Sequence, residues 1–166
     1  MTTASTITVG RSPTGYWVKI VGRGTLRESP AVSAFVERML SAPEGDLVVD
    51  LTACEYLDST FLGCLIGLDR RFGHSRPPRF AIVVTPEGNR RILAPSHIDA
   101  LLNLTGVVPL HVGEEIVLSE PELTGAELGH HVLEAHRNLA ALGGRNEAVY
   151  RPIIERLARE LERARS

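Results

Sequence analysis

The sequence predicts an α/β fold: a mixed, mostly parallel sheet with helices packed on it, followed by a C-terminal helical hairpin. Three observations lead there. Two apolar runs, LVVDL at 47–51 and FAIVV at 80–84, have the length and branched content of strands covered on both faces. Between them Phe61, Leu65, Leu68 and Phe72, with Leu62 and Ile66 beside them, recur at helical spacing. Ahead of them YWVKIV at 16–21 alternates as a strand does, close behind a short run with Ile7 and Val9. Strands that alternate with helices build a mostly parallel sheet, and an N-terminal hairpin makes it mixed.

In chain order, Ile7 and Val9 start an edge strand, and Pro13 and Gly15 turn the chain into the second strand. Gly22-Arg23-Gly24-Thr25-Leu26 is its exit, either a plain turn or a loop beside a functional site. Ser29 is placed to cap a helix that begins at Pro30 and buries Val32, Phe35, Val36, Met39 and Leu40. Pro43 and Gly45 lead into the central strand. Gly73, Pro77 and Pro78 break structure before the strand at 80–84. Thr85-Pro86-Glu87 opens a further helix with Ile92, Leu93, Ile98, Leu101, Leu102 and Leu104, which Pro95 kinks or splits. VVPLH at 107–111 is a last strand, and its proline puts it at an edge. This gives a sheet domain over 1–113 and a helical extension over 114–166. In the extension Thr124 and Glu127 form a capping box. Leu128, Val132, Leu139 and Leu142 lie along one helix, and Gly143-Gly144 ends it. Asn146 caps a second helix, kinked at Pro152, with Val149, Ile153, Ile154, Leu157 and Leu161 apolar. That hairpin packs on the sheet domain, on a second copy in a homodimer, or on another protein. The core's length favours an appendage.

The stretch 46–72 organises the rest. Asp58 stands where its carboxylate can accept from the unpaired N–H groups of a first helical turn. Ser59 and Thr60 then sit in that turn, near the positive end of the helix dipole. Capping alone explains these three residues well. The run D-S-T-F-L-G after an apolar strand, however, resembles the signature of the STAS domain, the family of anti-sigma factor antagonists and their relatives. The resemblance covers about residues 6–112, and Asp58, Ser59 and Gly63 match its pattern. Phe61 departs from the commonest member, which has glycine there. The resemblance implies a STAS-like α/β fold and a phospho-switch. An anti-sigma factor with serine-kinase activity would bind the free form, phosphorylate Ser59 (Thr60 is the alternative acceptor) and be released. A serine phosphatase would reset it. The implied partner surface comprises Asp58, Ser59, Thr60, Phe61 and Gly63, with Arg23 and Gly24 from the neighbouring loop. Gly63 and Gly67, one turn apart, allow a close backbone approach, with the sheet as the expected neighbour. A non-catalytic scaffold or sensor subunit assembling through the C-terminal helices is the rival reading, and a small-molecule-binding module a third.

Composition narrows the field. With 43% hydrophobic residues in 166 and a formal charge of −2, a packed core is expected and a nucleic-acid surface is not. No apolar run approaches the ~20 residues that cross a bilayer. The start, MTTASTITVG, has no basic segment followed by an apolar one, so no leader is expected. Cys54 and Cys64 lack metal-type spacing and read as buried reduced thiols. These features point to the cytoplasm. No G-x-x-x-x-G-K-[ST], H-E-x-x-H or G-x-S-x-G occurs, so no enzyme, cofactor or metal is expected. His130, His131 and His136 share one helix without ligand spacing, and Arg90 and Arg91 read as a solvated face.

Overall fold

The computed structural model describes residues 4–166; Met1–Thr3, part of the stretch read as lacking a leader, lie outside the described residues. Strands β1 (Thr6–Arg11) and β2 (Gly15–Gly24) form the expected antiparallel hairpin. β3 (Asp46–Asp50), β5 (Phe80–Val83) and β6 (Leu104–Thr105) then add in parallel beside β2. The order is β6-β5-β3-β2-β1-β7, and β7 (Val112–Val117) pairs antiparallel with β1. Residues alternate across the sheet, as pleating requires. Tyr16, Val18 and Ile20 face α1 (Ser29–Ser41) and α2 (Ser59–Leu68), while Trp17 lies on the far face under His111, ring centroids 3.7 Å apart. The core sits between the sheet and these two helices, with Val36, Leu47, Val49, Phe61, Leu65, Phe80 and Ile82 essentially inaccessible. α2 runs on as a π-helical turn, Asp69–Gly73.

Several expectations change. β1 is not an edge strand, because β7 covers its outer side. Residues 107–111 form no strand; Pro109 blocks the ladder, and pairing resumes at Val112. The boundary drawn at 113 therefore falls inside a strand of the sheet. Residues Cys54–Leu57, which carry no strand signal in the sequence, are a short strand β4 in parallel register with the end of β2. The helix expected after Thr85 is broken. Thr85 caps α3 (Pro86–Gly88), a π-turn follows over Asn89–Leu93, and Pro95 lies in a separate 3-10 turn, Ala94–Ser96. Arg91 is not merely solvated, since it donates to the carbonyls of Cys54 and Glu55 and ties that segment to β4. Ser29 makes no capping bond. It is the first residue of α1, and its buried hydroxyl faces His131.

The extension forms the expected hairpin of α4 (Gly125–Ala140) and α5 (Gly144–Arg165). Thr124 and Glu127 make the reciprocal capping bonds, and those bonds hold the Glu127 carboxyl below its ordinary value. Asn146 does not cap α5. It lies within the first turn and donates to Ser96 O. α5 continues through Pro152, whose missing N–H frees only the carbonyl of exposed Ala148. The buried face of α4 is Leu133, Ala135, His136 and Leu139, rotated from the stripe expected through Leu128 and Val132. That face packs on α2, so the hairpin lies on the sheet domain rather than apart from it.

One side chain fastens the turn between α1 and β3. The Arg79 guanidinium donates to the carbonyls of Leu40, Ala42, Gly45 and Glu44 at 2.6–3.3 Å. Charged donors make stronger bonds than neutral ones. Arg79→Met keeps the stem and removes the fork. It should cost about 2 kcal/mol in urea unfolding with an unchanged m-value. A midpoint equal to that of the parent would mean that water replaces the fork without loss.

Candidate functional site

The site is built on the join between β2 and α2. The Asp58 backbone is extended, as a capping residue requires, and its side chain reaches two ways. Oδ1 accepts from Phe61 N at 2.9 Å, and Oδ2 accepts from Leu26 N at 2.7 Å. Its own N–H donates to Gly24 O at 3.0 Å. The exit of β2 is therefore bonded to the first turn of α2, and residues 22–26, the end of the strand with Thr25 and Leu26, lie beside the motif. Gly24 is required there by contact. A Cβ would meet Leu57 Cδ2 at 2.5 Å and the Phe61 ring at 2.9 Å. Arg23 sits outside, its guanidinium carbon 4.2 Å from the Tyr56 ring centroid.

The predicted residues separate by depth. Ser59 is half-buried, with its hydroxyl directed away from the sheet. Thr60 is 3% exposed, which removes it as a ready acceptor. Phe61 is fully buried, so its ring belongs to the core and touches no partner in this conformation. Gly63 is on the outer side of α2, but its neighbour is α4, not the sheet. A Cβ there would fall on the Ala135 carbonyl. Asn138 Nδ2 donates to Gly63 O at 3.1 Å, and a Cβ on Gly67 would meet Asn138 Nδ2 at 2.5 Å.

Sequence reasoning missed the residues that α4 brings to the site. His136 Nε2 stands 3.1 Å from Ser59 Oγ, and its ring stacks on Tyr150 of α5 at 5.3 Å. Nδ1 is buried without a hydrogen-bond partner. One turn away, His131 Nε2 meets Ser29 Oγ at 2.8 Å and Cys64 Sγ at 3.3 Å. Burial pushes the Cys64 thiol up to about 11, and Cys54 likewise, so both stay protonated at neutral pH. Burial also holds both imidazoles below their ordinary value, against the opposing pull of Asp58 on each and of Glu37 on His131. The one available signal was the histidine pair itself, five residues apart on a helix whose partner surface was unknown. Beside these contacts α1, α2 and α4 leave a cleft of about 550 Å³, lined by Ser33, Glu37, Arg71, Cys64, His131 and Asn138 among others. Among the described residues no group of three His, Cys, Asp or Glu could hold a metal ion. No described helix is long and apolar enough to cross a membrane. The arrangement offers a hydroxyl at a helix N-terminus, a small-residue surface behind it and a neutral imidazole upon it.

A family model described as "Mlab, STAS domain" matches residues 7–107. β7 and the hairpin lie beyond that match. The curated proteins compared with the chain include no match. A solved structure, an anti-sigma factor antagonist from Mycobacterium paratuberculosis, superposes with a TM-score of 0.53 at 22% identity. The superposition covers 63% of this chain and 88% of that one, and it shows a shared fold.

Two expectations come from this geometry. Asp58→Ala removes both carboxylate bonds and should cost about 2 kcal/mol by chemical unfolding. Asp58→Asn keeps one acceptor and should recover about half of that. Equal stabilities for the three chains would remove Asp58 from its role. The second concerns pH. The fold holds His131 and His136 neutral, whereas the unfolded chain protonates them near the ordinary 6.5. Their contribution is complete above that value and falls as the pH drops below it. Thermal midpoints should therefore decline from about pH 7.5 to about pH 5.5, and His131→Gln/His136→Gln should flatten the decline. A slope that survives in the double variant belongs to other groups.

Proposed function

This chain belongs to the STAS domain family, and from that membership we propose that it acts as an anti-sigma-factor-antagonist-like phospho-switch. The reading is supported by the placement of Ser59: a half-exposed hydroxyl on the first turn of α2, beside Asp58, with Thr60 buried behind it. The fold it shares with a protein named as an anti-sigma factor antagonist points the same way. The partner is an anti-sigma factor that is also a serine kinase. It binds while Ser59 is free. The γ-phosphoryl group then passes from the kinase's ATP to Ser59 Oγ, a new O–P bond forms as the bond to ADP breaks, and the hydroxyl proton goes to a base of the kinase. The chain is the substrate in this step and not the catalyst. A serine phosphatase restores the hydroxyl. Switching of this kind regulates transcription in the cytoplasm, as in responses to stress.

The physical basis is charge at an interface. A phosphoserine carries close to two negative charges, and the helix N-terminus offers it N–H groups and a favourable dipole. The fold therefore accepts the group. Asp58 already stands beside the acceptor, so a partner fitted to the neutral hydroxyl meets the added charge of the phosphate next to a carboxylate. Like charges brought together at an interface cost several kcal/mol. A second reading, a non-catalytic assembly subunit, is favoured by the outward apolar side chains of α5, Val149 and Ile153, which are 48% and 43% exposed.

Incubation with candidate serine kinases and ATP, followed by intact-mass measurement, tests the proposal. The parent should gain one phosphoryl group and Ser59→Ala none. Ser59→Ala should fold with a stability change near or below 1 kcal/mol, since Asp58 remains the cap. Undiminished incorporation in that variant would remove Ser59, and no incorporation in the parent with any kinase would leave the assembly reading.

A further inference from the structure

We propose that the α4–α5 hairpin is a detachable cover, seated in the free chain on the very surface through which Ser59 meets a protein partner. The covered surface is the outer stripe of α2: Ser59, Gly63 and Gly67, at successive turns. α4 answers each of them. His136 holds the Ser59 hydroxyl at 3.1 Å, Ala135 presses its backbone on Gly63, and Asn138 donates to Gly63 O at 3.1 Å. With α4 in place the Ser59 hydroxyl is engaged by His136 and the stripe behind it is covered, so a kinase's active site meets α4 before it can close around the hydroxyl. The inference rests on the reading of Ser59 for its meaning, though not for its test.

Four features mark the seat as separable from the fold beneath it. No residue of α5 is buried, so half of the hairpin contributes little to the core. The connection at 119–124 is exposed and irregular, tied to the sheet domain by the surface pair Arg27–Glu120 at 3.3 Å, a contact of the weak kind. The interface is incompletely closed, with the 550 Å³ cleft on one side and the unpartnered His136 Nδ1 inside it. All strands of the sheet and both helices of its core precede the tether. Leu139 is the strongest opposing contact, being fully buried against the core. Its loss on opening keeps the closed form dominant. The shape of the seat also says what fits in place of α4: a partner's helix that presents a small residue to Gly63 and polar side chains to Ser59 and to the Gly63 carbonyl.

Cys64 and Cys54 provide the test in the full-length chain. Cys64 lies beneath α4 against His131, whereas Cys54 is inside the sheet core beside β2. A bulky maleimide that cannot enter the cleft reports opening at Cys64 and global unfolding at Cys54. Under native conditions, Cys64 should be labelled at least about tenfold faster than Cys54. Hydrogen exchange should show the amides of α4 and α5 opening together, faster than those of β2, β3 and β5 by a similar factor. Gly63→Ala places a methyl on the Ala135 carbonyl and should raise the Cys64 rate about tenfold further while leaving Cys54 unchanged. One common labelling rate for both cysteines, with hairpin amides as slow as the sheet, overturns the proposal, and that arm does not depend on the variant folding. A chain that opens in this way yet never takes phosphate keeps its cover and loses only the switch.

Discussion

The carboxylate of Asp58 is the point on which the rest depends. A single side chain accepts from the first turn of α2 and from the loop that leaves β2. These are the two segments that flank the motif where the chain leaves the sheet. With both bonds made, Gly24 must lie on Leu57 and Phe61, β4 must run alongside β2, and Ser59 must project outward. Local capping chemistry and long-range register are thus the same interaction. Because the cap is Asp58 and not Ser59, the neighbouring hydroxyl is left available for another use.

α2 is covered on two sides, and its composition follows from that. Almost every residue in STFLGCLIGL is buried, with Phe61 and Leu65 turned to the sheet and Gly63 to α4. A helix on a solvated face would show one apolar stripe; one between two layers is apolar all round. The glycines then mark the side where another backbone comes close. The interaction with α4 is mixed in character, since Leu133 and Leu139 supply apolar burial, Asn138 supplies an amide hydrogen bond, and His131 and His136 supply polar contacts whose strength depends on protonation.

Much of this was legible in the sequence. The central strands and α2 were plain because continuous apolar runs and a 3.6-residue period are strong signals, and Asp58 was plain because capping needs only local chemistry. What escaped depended on distant partners. β4 is a four-residue strand with two exposed positions, too short to show a period. β7 is exposed throughout, and its sequence VGEEIV does not alternate as a half-buried strand does, so no period marks its pairing with β1. The face of α4 was misjudged because Leu128 and Val132 look as apolar as Leu133, and only the Ala135 approach to Gly63 decides the rotation. His136 could not be assigned to Ser59, for no rule of spacing connects residues seventy-seven positions apart.

Trp17 has a further consequence, for spectroscopy. It is the chain's single tryptophan, and it is sealed on the far face of the sheet, with its indole N–H on Arg11 O and its ring beneath His111. Its emission therefore reports the seal formed by the segment before β7, on the opposite side from α2 and the hairpin. A tryptophan-emission trace, excited apart from the tyrosines, would be silent while α4 lifts and would respond only when the sheet itself comes apart. The molecule carries a tryptophan marker for its scaffold and no tryptophan in its moving part, so a dye on α5 would make the two events separable by colour.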